Sequence, residues 1–178
     1  MLFRSGYHRL TVTSREGADL MHAVEVRSAA FAEAAAVSQL LAAVIRDSYT
    51  GTLEKNAVER LVSVNCSLPR ISAEIGVPGG APSWLGWLVA TEADGRLVGA
   101  AAGGVPAPGE GELYALCTAP NRRLDGIGSA LLSVLTERMR RHDARRQSVS
   151  LPSEADPALP FYTAHGFKGA GRRLSREI

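Results

Sequence analysis

The sequence predicts one mixed α/β domain, α+β-like in character, built on a mixed sheet with helices on both faces. Three observations lead there. The elements run strand, two helices, three strands, helix, strand, helix, strand, an order without internal repeats that a strictly alternating doubly wound fold would not give. Two apolar, β-rich runs flank Asp94-Gly95, the positive-φ chemistry of an antiparallel hairpin. A strand at residues 112–118 then meets a long helix at 126–142 through a glycine-bearing turn. At 178 residues and 46% hydrophobic, the chain is large enough for one ordinary core and too short for two.

In chain order, residues 1–20 carry neither a strand alternation nor a helical stripe, and Met21 precedes the first patterned segment. Two readings stand: translation starts naturally at Met21, or the segment adds a peripheral strand or arm. The domain is taken as residues 22–178, with 1–21 as an N-terminal extension. Residues 23–27 alternate Val24 and Val26 with Glu25 and Arg27, as a strand does, and Ser28 is placed to cap the next helix. Residues 31–47 set Ala36, Val37, Leu40, Leu41, Val44 and Ile45 at helical spacing, and residues 54–65 turn Val58, Leu61 and Val62 inward. Residues 76–82, with Gly79-Gly80 and two prolines, read as a loop. The hairpin strands cover 84–92 and 97–105, a loop spans 106–111, and a strand covers 112–118. The helix at 126–142 faces Ile127, Ala130, Leu131, Val134, Leu135 and Met139 inward. A strand at 147–151, a helix at 156–165 ending on Gly166, and a last piece from Phe167 complete the chain.

Composition excludes several function classes. The net charge is +2, with scattered arginines and Lys55 and Lys168 as the only lysines, which argues against nucleic acid as the main partner. Cys66 and Cys117 lie far apart with no C-x-x-C spacing, so neither a metal site nor a disulfide framework is expected. No apolar run is long enough to span a membrane, and no secretory h-region opens the chain, so a soluble cytoplasmic protein is expected.

The chemistry concentrates in the turn before the long helix. A helix start offers unpaired N–H groups and the positive end of the macrodipole, and Gly126 and Gly128 let an anion such as a pyrophosphate approach the backbone, with Arg122 and Arg123 nearby. A Walker loop needs a Gly-Lys-Ser/Thr that is missing here, and a dinucleotide fingerprint needs a third glycine where Ser129-Ala130-Leu131 stands. Taken alone, the turn is also compatible with an ordinary helix start rich in small residues.

Two motifs together go further. Arg123-x-x-Gly126-x-Gly128, preceded by residues 112–116 and Pro120 and followed by Ser129-Ala130-Leu131-Leu132, resembles motif A of the GNAT superfamily of N-acetyltransferases. Ala158-x-x-Phe161-Tyr162-x-x-x-Gly166-Phe167 resembles that family's motif B, and Tyr49-Thr50-Gly51 looks like a common substrate-side turn. The resemblance covers roughly residues 24–167. It implies a mostly antiparallel, twisted mixed sheet and an enzyme that moves an acetyl or other acyl group from acyl-CoA directly to a primary amine, without a metal.

The resemblance implies site roles residue by residue. The strand before motif A is splayed at a bulge in the family, so the backbone of Leu116, Cys117 and Thr118 is implied to pair with the pantetheine amides. The amides of Arg123, Leu124, Asp125, Gly126, Ile127 and Gly128 are implied to hold the pyrophosphate, with Ser129 adding a hydroxyl. Tyr162 matches the tyrosine whose hydroxyl serves the departing thiolate, with a core tyrosine of satisfied hydroxyl as the bland alternative. Glu112 matches the general-base glutamate of histone-type members; on a regular pleated strand it shares a face with Tyr114 and Leu116, and a solvated strand-end carboxylate is its alternative. Trp84, Trp87 and Tyr49 are candidates for an acceptor pocket, with core packing as the alternative for at least one tryptophan. Leu124 and Asp125 depart from the small or basic residues usual there, setting an acidic group beside the phosphates, and Ala155 replaces a frequent Asn. Only eleven residues come after Gly166-Phe167, where the family closes with two antiparallel strands, so one strand is expected to be missing or very short, leaving an edge that a second copy in a homodimer would cover. Against the enzyme stands a sensor or interaction module that binds acyl-CoA with weak or no catalysis. The acceptor, whether a small-molecule or a protein amine, is not encoded in either motif.

Overall fold

The computed structural model describes residues 8–10, 24–77 and 82–178. Met21 and most of the N-terminal extension lie outside them, as do residues 78–81 of the loop expected at 76–82. Among the described residues seven strands form one sheet in linear order: β1 (His8–Leu10), β2 (Val24–Ser28), β3 (Trp87–Thr91), β4 (Leu97–Ala107), β5 (Glu110–Thr118), β6 (Arg146–Ser150) and β7 (Arg173–Glu177). Every neighbouring pair is antiparallel except β5 and β6. That pair is parallel because the long helix between them carries the chain back across the sheet. The expected mixed, mostly antiparallel sheet is therefore present.

Before β3 the chain forms α1 (Ala34–Tyr49), α2 (Lys55–Asn65) and α3 (Leu68–Gly76); the crossover helix is α4 (Ile127–Arg141), and α5 (Leu159–Ala164) precedes β7. The sequence reading does not anticipate α3. Its second residue, Pro69, suggests a break in sequence, yet proline lacks only an N–H that a first turn leaves unpaired anyway, and Ile71 anchors the helix fully buried. Ser28 does not cap α1. A 3-10 turn, Phe31–Glu33, intervenes, and the Glu33 carboxylate accepts from the Ala30 N–H at 2.7 Å, while the Ser28 hydroxyl accepts from Arg138 at 2.9 Å.

The two faces of the sheet bury separate cores. On one, α4 sends Ile127, Leu131, Leu135 and Met139 against Leu88, Val98 and Ala101; on the other, α1 and α3 send Val37, Leu41 and Ile71 against Trp87, Val89, Ala100 and Ala102. From Gly99 onward β4 alternates with the period of two that a strand buried on both faces requires, while Val98 shares the face of Ala101 because the β3–β4 register shifts there. Small residues in β4 set the spacing: a Cβ on Gly99 would stand 2.8 Å from Leu131 Cδ1, and one on Gly103 would stand 2.6 Å from the Glu112 carbonyl oxygen. Each fully buried leucine of α4 contributes on the order of 1.5–3 kcal/mol through its removal from water.

The hairpin between β3 and β4 turns at Gly95, φ 85°, with Arg96 N–H donating to Asp94 Oδ1 at 2.9 Å. The loop is shorter than the 106–111 expected from sequence, because β4 runs to Ala107 and β5 begins at Glu110 around Gly109, φ 77°. The helix α5 is also shorter than expected: Asp156 stands ahead of it, its Oδ1 accepting from the Ala158 N–H at 2.8 Å, and Gly166 ends the segment at φ 82°. Beyond β7 the second closing strand is reduced to one bridge, Lys168 with Ser175. Among the described residues no helix is long and apolar enough to cross a membrane.

Candidate active site

The site begins with a register slip. Ala102 of β4 faces Ala115, but its neighbour Gly103 faces Leu113, so Tyr114 is an extra residue bulged out of β5. The bulge shifts every later side chain by one. Leu113 and Leu116, three apart, pack toward α4, whereas Ala115 and Cys117 pack toward α1. The expectation that Glu112 and Leu116 share a face fails at this bulge, because it assumes an unbroken pleat.

The bulge also ends the pairing of β5 with β6, which runs only from Glu110–Arg146 to Leu113–Val149. Beyond it the two strands separate, and the backbone of Leu116, Cys117 and Thr118 remains bonded to β4 on one side alone. A cavity of about 530 Å³ opens at this divergence. Tyr114 to Cys117 form one wall, Val149 to Pro152 with Asp156 and Tyr162 the other, and Ser48 and Tyr49 of α1 close over them together with Trp84 and Trp87.

The turn before α4 lies beyond that cavity. Gly126 opens the helix at φ 79°, and the first N–H to join the ladder is that of Ala130, on the Gly126 carbonyl at 3.0 Å. The N–H groups of Ile127, Gly128 and Ser129 stand ahead of the ladder, at the positive end of a fifteen-residue helix. Gly128 is needed for closeness: a Cβ there would stand 3.3 Å from the Phe161 ring and 3.5 Å from Thr118 Oγ1. Leu124 adopts φ 67° with its side chain fully exposed, a left-handed conformation that costs a non-glycine residue roughly 1–2 kcal/mol.

Neither arginine of the turn is left to an anion. Arg122 is held between Glu92, with which it forms a close ion pair, and Asp125, at 2.6 Å from Nε. Arg123 reaches Asp47 at 2.7 Å and Ser48 at 3.0 Å, tying the turn to α1. Asp125 is thus neutralised by its own neighbour. Ser129 Oγ lies 2.9 Å from His165 Nε2, whose Nδ1 donates to the Phe161 carbonyl at 2.8 Å, so α4 and α5 are joined at this end.

Tyr162 has its ring sealed, 5% exposed, between Phe161 and Phe167 in edge contacts with centroids 5.3 Å apart. Its hydroxyl makes no hydrogen bond to protein among the described residues, and no buried side-chain polar atom there is closed off without a partner. The hydroxyl therefore opens on the cavity. Burial, then the nearby Asp156 charge, push it well above the usual phenol range, so it keeps its proton. Cys117 is also buried, and burial pushes its thiol up to about 12, which leaves it protonated at neutral pH and unfit as a nucleophile.

Glu112 stands apart from these groups. It does not line the cavity, and its Oε1 lies 3.5 Å from Arg173 Nη1. The aromatic wall is tied down instead: Trp84 stacks on Tyr114 with centroids 6.0 Å apart, Trp87 Nε1 donates to Glu74 at 2.9 Å, and the Tyr114 hydroxyl donates to the Ser83 carbonyl at 3.1 Å. Asp156, which the sequence marks only as a helix start, is 4% exposed and accepts the Tyr49 hydroxyl. Its one local signal is the Asp-Pro spacing before a helix, and that indicates a cap rather than a site.

Comparison with known proteins agrees with this geometry. The model of the acetyltransferase (GNAT) family matches residues 73–167, more than half of the chain. No curated protein sequence matches it. Among solved structures, the PaiA N-acetyltransferase from Thermoplasma acidophilum in complex with coenzyme A is similar at TM-score 0.78 and 18% identity, covering 88% of this chain and 99% of that one. A GCN5-related N-acetyltransferase from Rhodopseudomonas palustris gives 0.71 and 17%, covering 91% and 100%. A GNAT family acetyltransferase from Brucella melitensis in complex with acetyl-CoA gives 0.58 and 22%, covering 88% and 89%. At such identities these structures speak for the fold, while the family match spans both the turn and the tyrosine: the chain belongs to the GNAT acetyltransferase family.

Proposed function

We propose that this chain transfers the acetyl group of acetyl-CoA directly to a primary amine, in the cytoplasm. The observation that carries this is the Tyr162 hydroxyl, unpartnered by protein among the described residues and open to the cavity at the β5–β6 divergence. The site fits the cofactor: free N–H groups and glycine closeness at the start of α4 suit a pyrophosphate, and the one-sided backbone at Leu116, Cys117 and Thr118 suits the pantetheine amides. Arg123, Leu124 and Asp125 would border the same phosphates, and Gly126, Ile127, Gly128 and Ser129 would hold them. Bound acetyl-CoA supplies a thioester whose carbonyl carbon accepts the amine and whose sulfur leaves with the bonding pair.

Transfer forms one N–C bond, breaks one C–S bond and releases one amine proton. Tyr162 donates a hydrogen bond to the departing sulfur, and because it holds its own proton firmly it acts by donation rather than by outright transfer. Glu112 is the carried-over base, receiving the amine proton through water from outside the cavity wall. Cys117 takes no covalent part. Tyr162→Phe should lower kcat by about a hundredfold and leave the CoA dissociation constant within about twofold. Glu112→Gln should lower kcat about tenfold with CoA binding intact. Thiol release with a panel of amines, beside calorimetry with CoA, reads both effects. Binding of CoA without thiol release from any amine, with Tyr162→Phe silent, would favour the sensor function instead. A second copy pairing along β7, whose outer side holds only the Lys168 bridge, makes the protein a homodimer in this proposal; sedimentation as a monomer at micromolar concentration removes that element alone.

A further inference from the structure

The cavity wall contains two carboxylates that the proposed chemistry does not use, Asp156 and Glu74. Asp156 is 4% exposed, and its two oxygens accept from neutral donors: the Tyr49 hydroxyl across a chain separation of 107 residues, and the Ala158 N–H at 2.8 Å. Among the described residues no arginine, lysine or histidine comes within ion-pair distance of it. The other carboxylate on the wall, Glu74, differs, since Arg70 pairs with it at 2.7 Å. A carboxylate taken out of water is costly unless paired, and two neutral hydrogen bonds leave half of its lone-pair sites unfilled.

We infer that Asp156, oriented by Tyr49, is the docking point for the acceptor's amino group, and that the acceptors are primary amines bearing no carboxylate beside that nitrogen. The inference rests on the amine-acetylation function proposed above. An amine or ammonium N–H supplies a further donor to Asp156, and the aromatic side chains of Trp84, Trp87 and Tyr114 line the same cavity. Asp156 and Tyr162 line the same cavity, and the Asp156 charge helps keep that hydroxyl protonated, so the docked nitrogen shares the cavity with the donor to the leaving sulfur. A carboxylate on the acceptor's α-carbon would face Asp156 at short range and be repelled, since Arg70, on the same cavity wall, is paired with Glu74. Tyr49 is kept a donor by burial and by Asp156 itself.

Matched pairs test this: phenethylamine with phenylalanine, tyramine with tyrosine, and histamine with histidine, each differing only by the α-carboxylate. The wild-type chain should prefer the decarboxylated member by about a hundredfold in kcat/KM. Asp156→Asn, which retains an oxygen to cap Ala158, should shrink the preference below about tenfold by raising the amine's KM, with the KM for acetyl-CoA within about twofold. Tyr49→Phe should move selectivity in the same direction by less. Equal use of both members by the wild type, or an Asp156→Asn variant that keeps the full preference, overturns the inference. If no amine of any pair releases thiol, amine acetylation itself falls. Calorimetric titration of the same pairs into CoA-saturated wild type and Asp156→Asn then decides the docking point, and equal affinities overturn it.

Discussion

The two halves of the site are built on opposite principles. The turn before α4 is local: residues 123–129 are consecutive, their useful groups are backbone N–H, and the charged side chains around them are occupied elsewhere, Arg122 with Glu92 and Asp125, Arg123 with Asp47. The cavity wall is non-local: Tyr49 from α1, Tyr114 from β5, Asp156 from a loop and Tyr162 from α5 meet only in the fold, and their useful groups are side chains. A shared ligand can be held by a main chain that any sequence provides, given two glycines. A particular acceptor needs side chains, and these sit where the sheet comes apart.

This contrast predicts that variants of the turn change cofactor affinity and leave acceptor choice alone, whereas variants of the wall do the reverse. Gly128→Val is the strongest test from the turn side. A branched side chain at Gly128 enters a space where even a Cβ lies 3.3 Å from Phe161, and it covers the N–H groups proposed to hold the phosphates. Hydrogen bonds to a charged group are worth about 1.5–3 kcal/mol, so with those N–H groups covered calorimetry should show CoA affinity lower by about ten- to a hundredfold. Among acceptors that still turn over, the ranking by kcat/KM should match the wild type. A changed ranking would mean that the turn and the wall are one unit and that the contrast fails.

The same contrast explains what is legible in the sequence. The turn can be read from Arg123, Gly126 and Gly128 because its function lies in neighbouring backbone groups, and the hairpin at Asp94-Gly95 and the inward face of α4 are legible for the same local reason. The tyrosine is recognisable through its spacing to Gly166-Phe167, but the freedom of its hydroxyl is a property of what surrounds it. A bulge in this strand is implied by the family resemblance, but its position at Tyr114 escapes a sequence reading because one extra residue leaves no mark on composition, and with it goes the face assigned to Glu112. The helix α3 is hidden by Pro69, whose position in the first turn makes a breaker into a start. Asp156 looks like a helix start and stands just ahead of one, its Oδ1 accepting from the Ala158 N–H; its bond to Tyr49, 107 residues away, has no local signature.

Arg122 tests the turn more gently. In sequence Asp125 looks like a charge set against the phosphates, and the structure answers it with Arg122, whose side chain is 14% exposed and lies 2.6 Å from Asp125. Arg122→Ala frees that carboxylate beside a pyrophosphate site. Two like charges several ångströms apart near a protein surface repel by about 1 kcal/mol or somewhat more, so the CoA dissociation constant should rise about five- to tenfold at low salt. Added salt should narrow the difference, because Asp125 is partly exposed and its field is screened. Asp125→Asn placed on top of Arg122→Ala should restore most of the affinity if charge is the cause. A double variant as weak as the single one would instead assign the loss to Glu92, which Arg122 also neutralises, and to the packing of the 3-10 turn at Pro120–Arg122. Electrostatic neutrality at this turn would then be incidental, and the main-chain cradle would be the whole of what the turn provides.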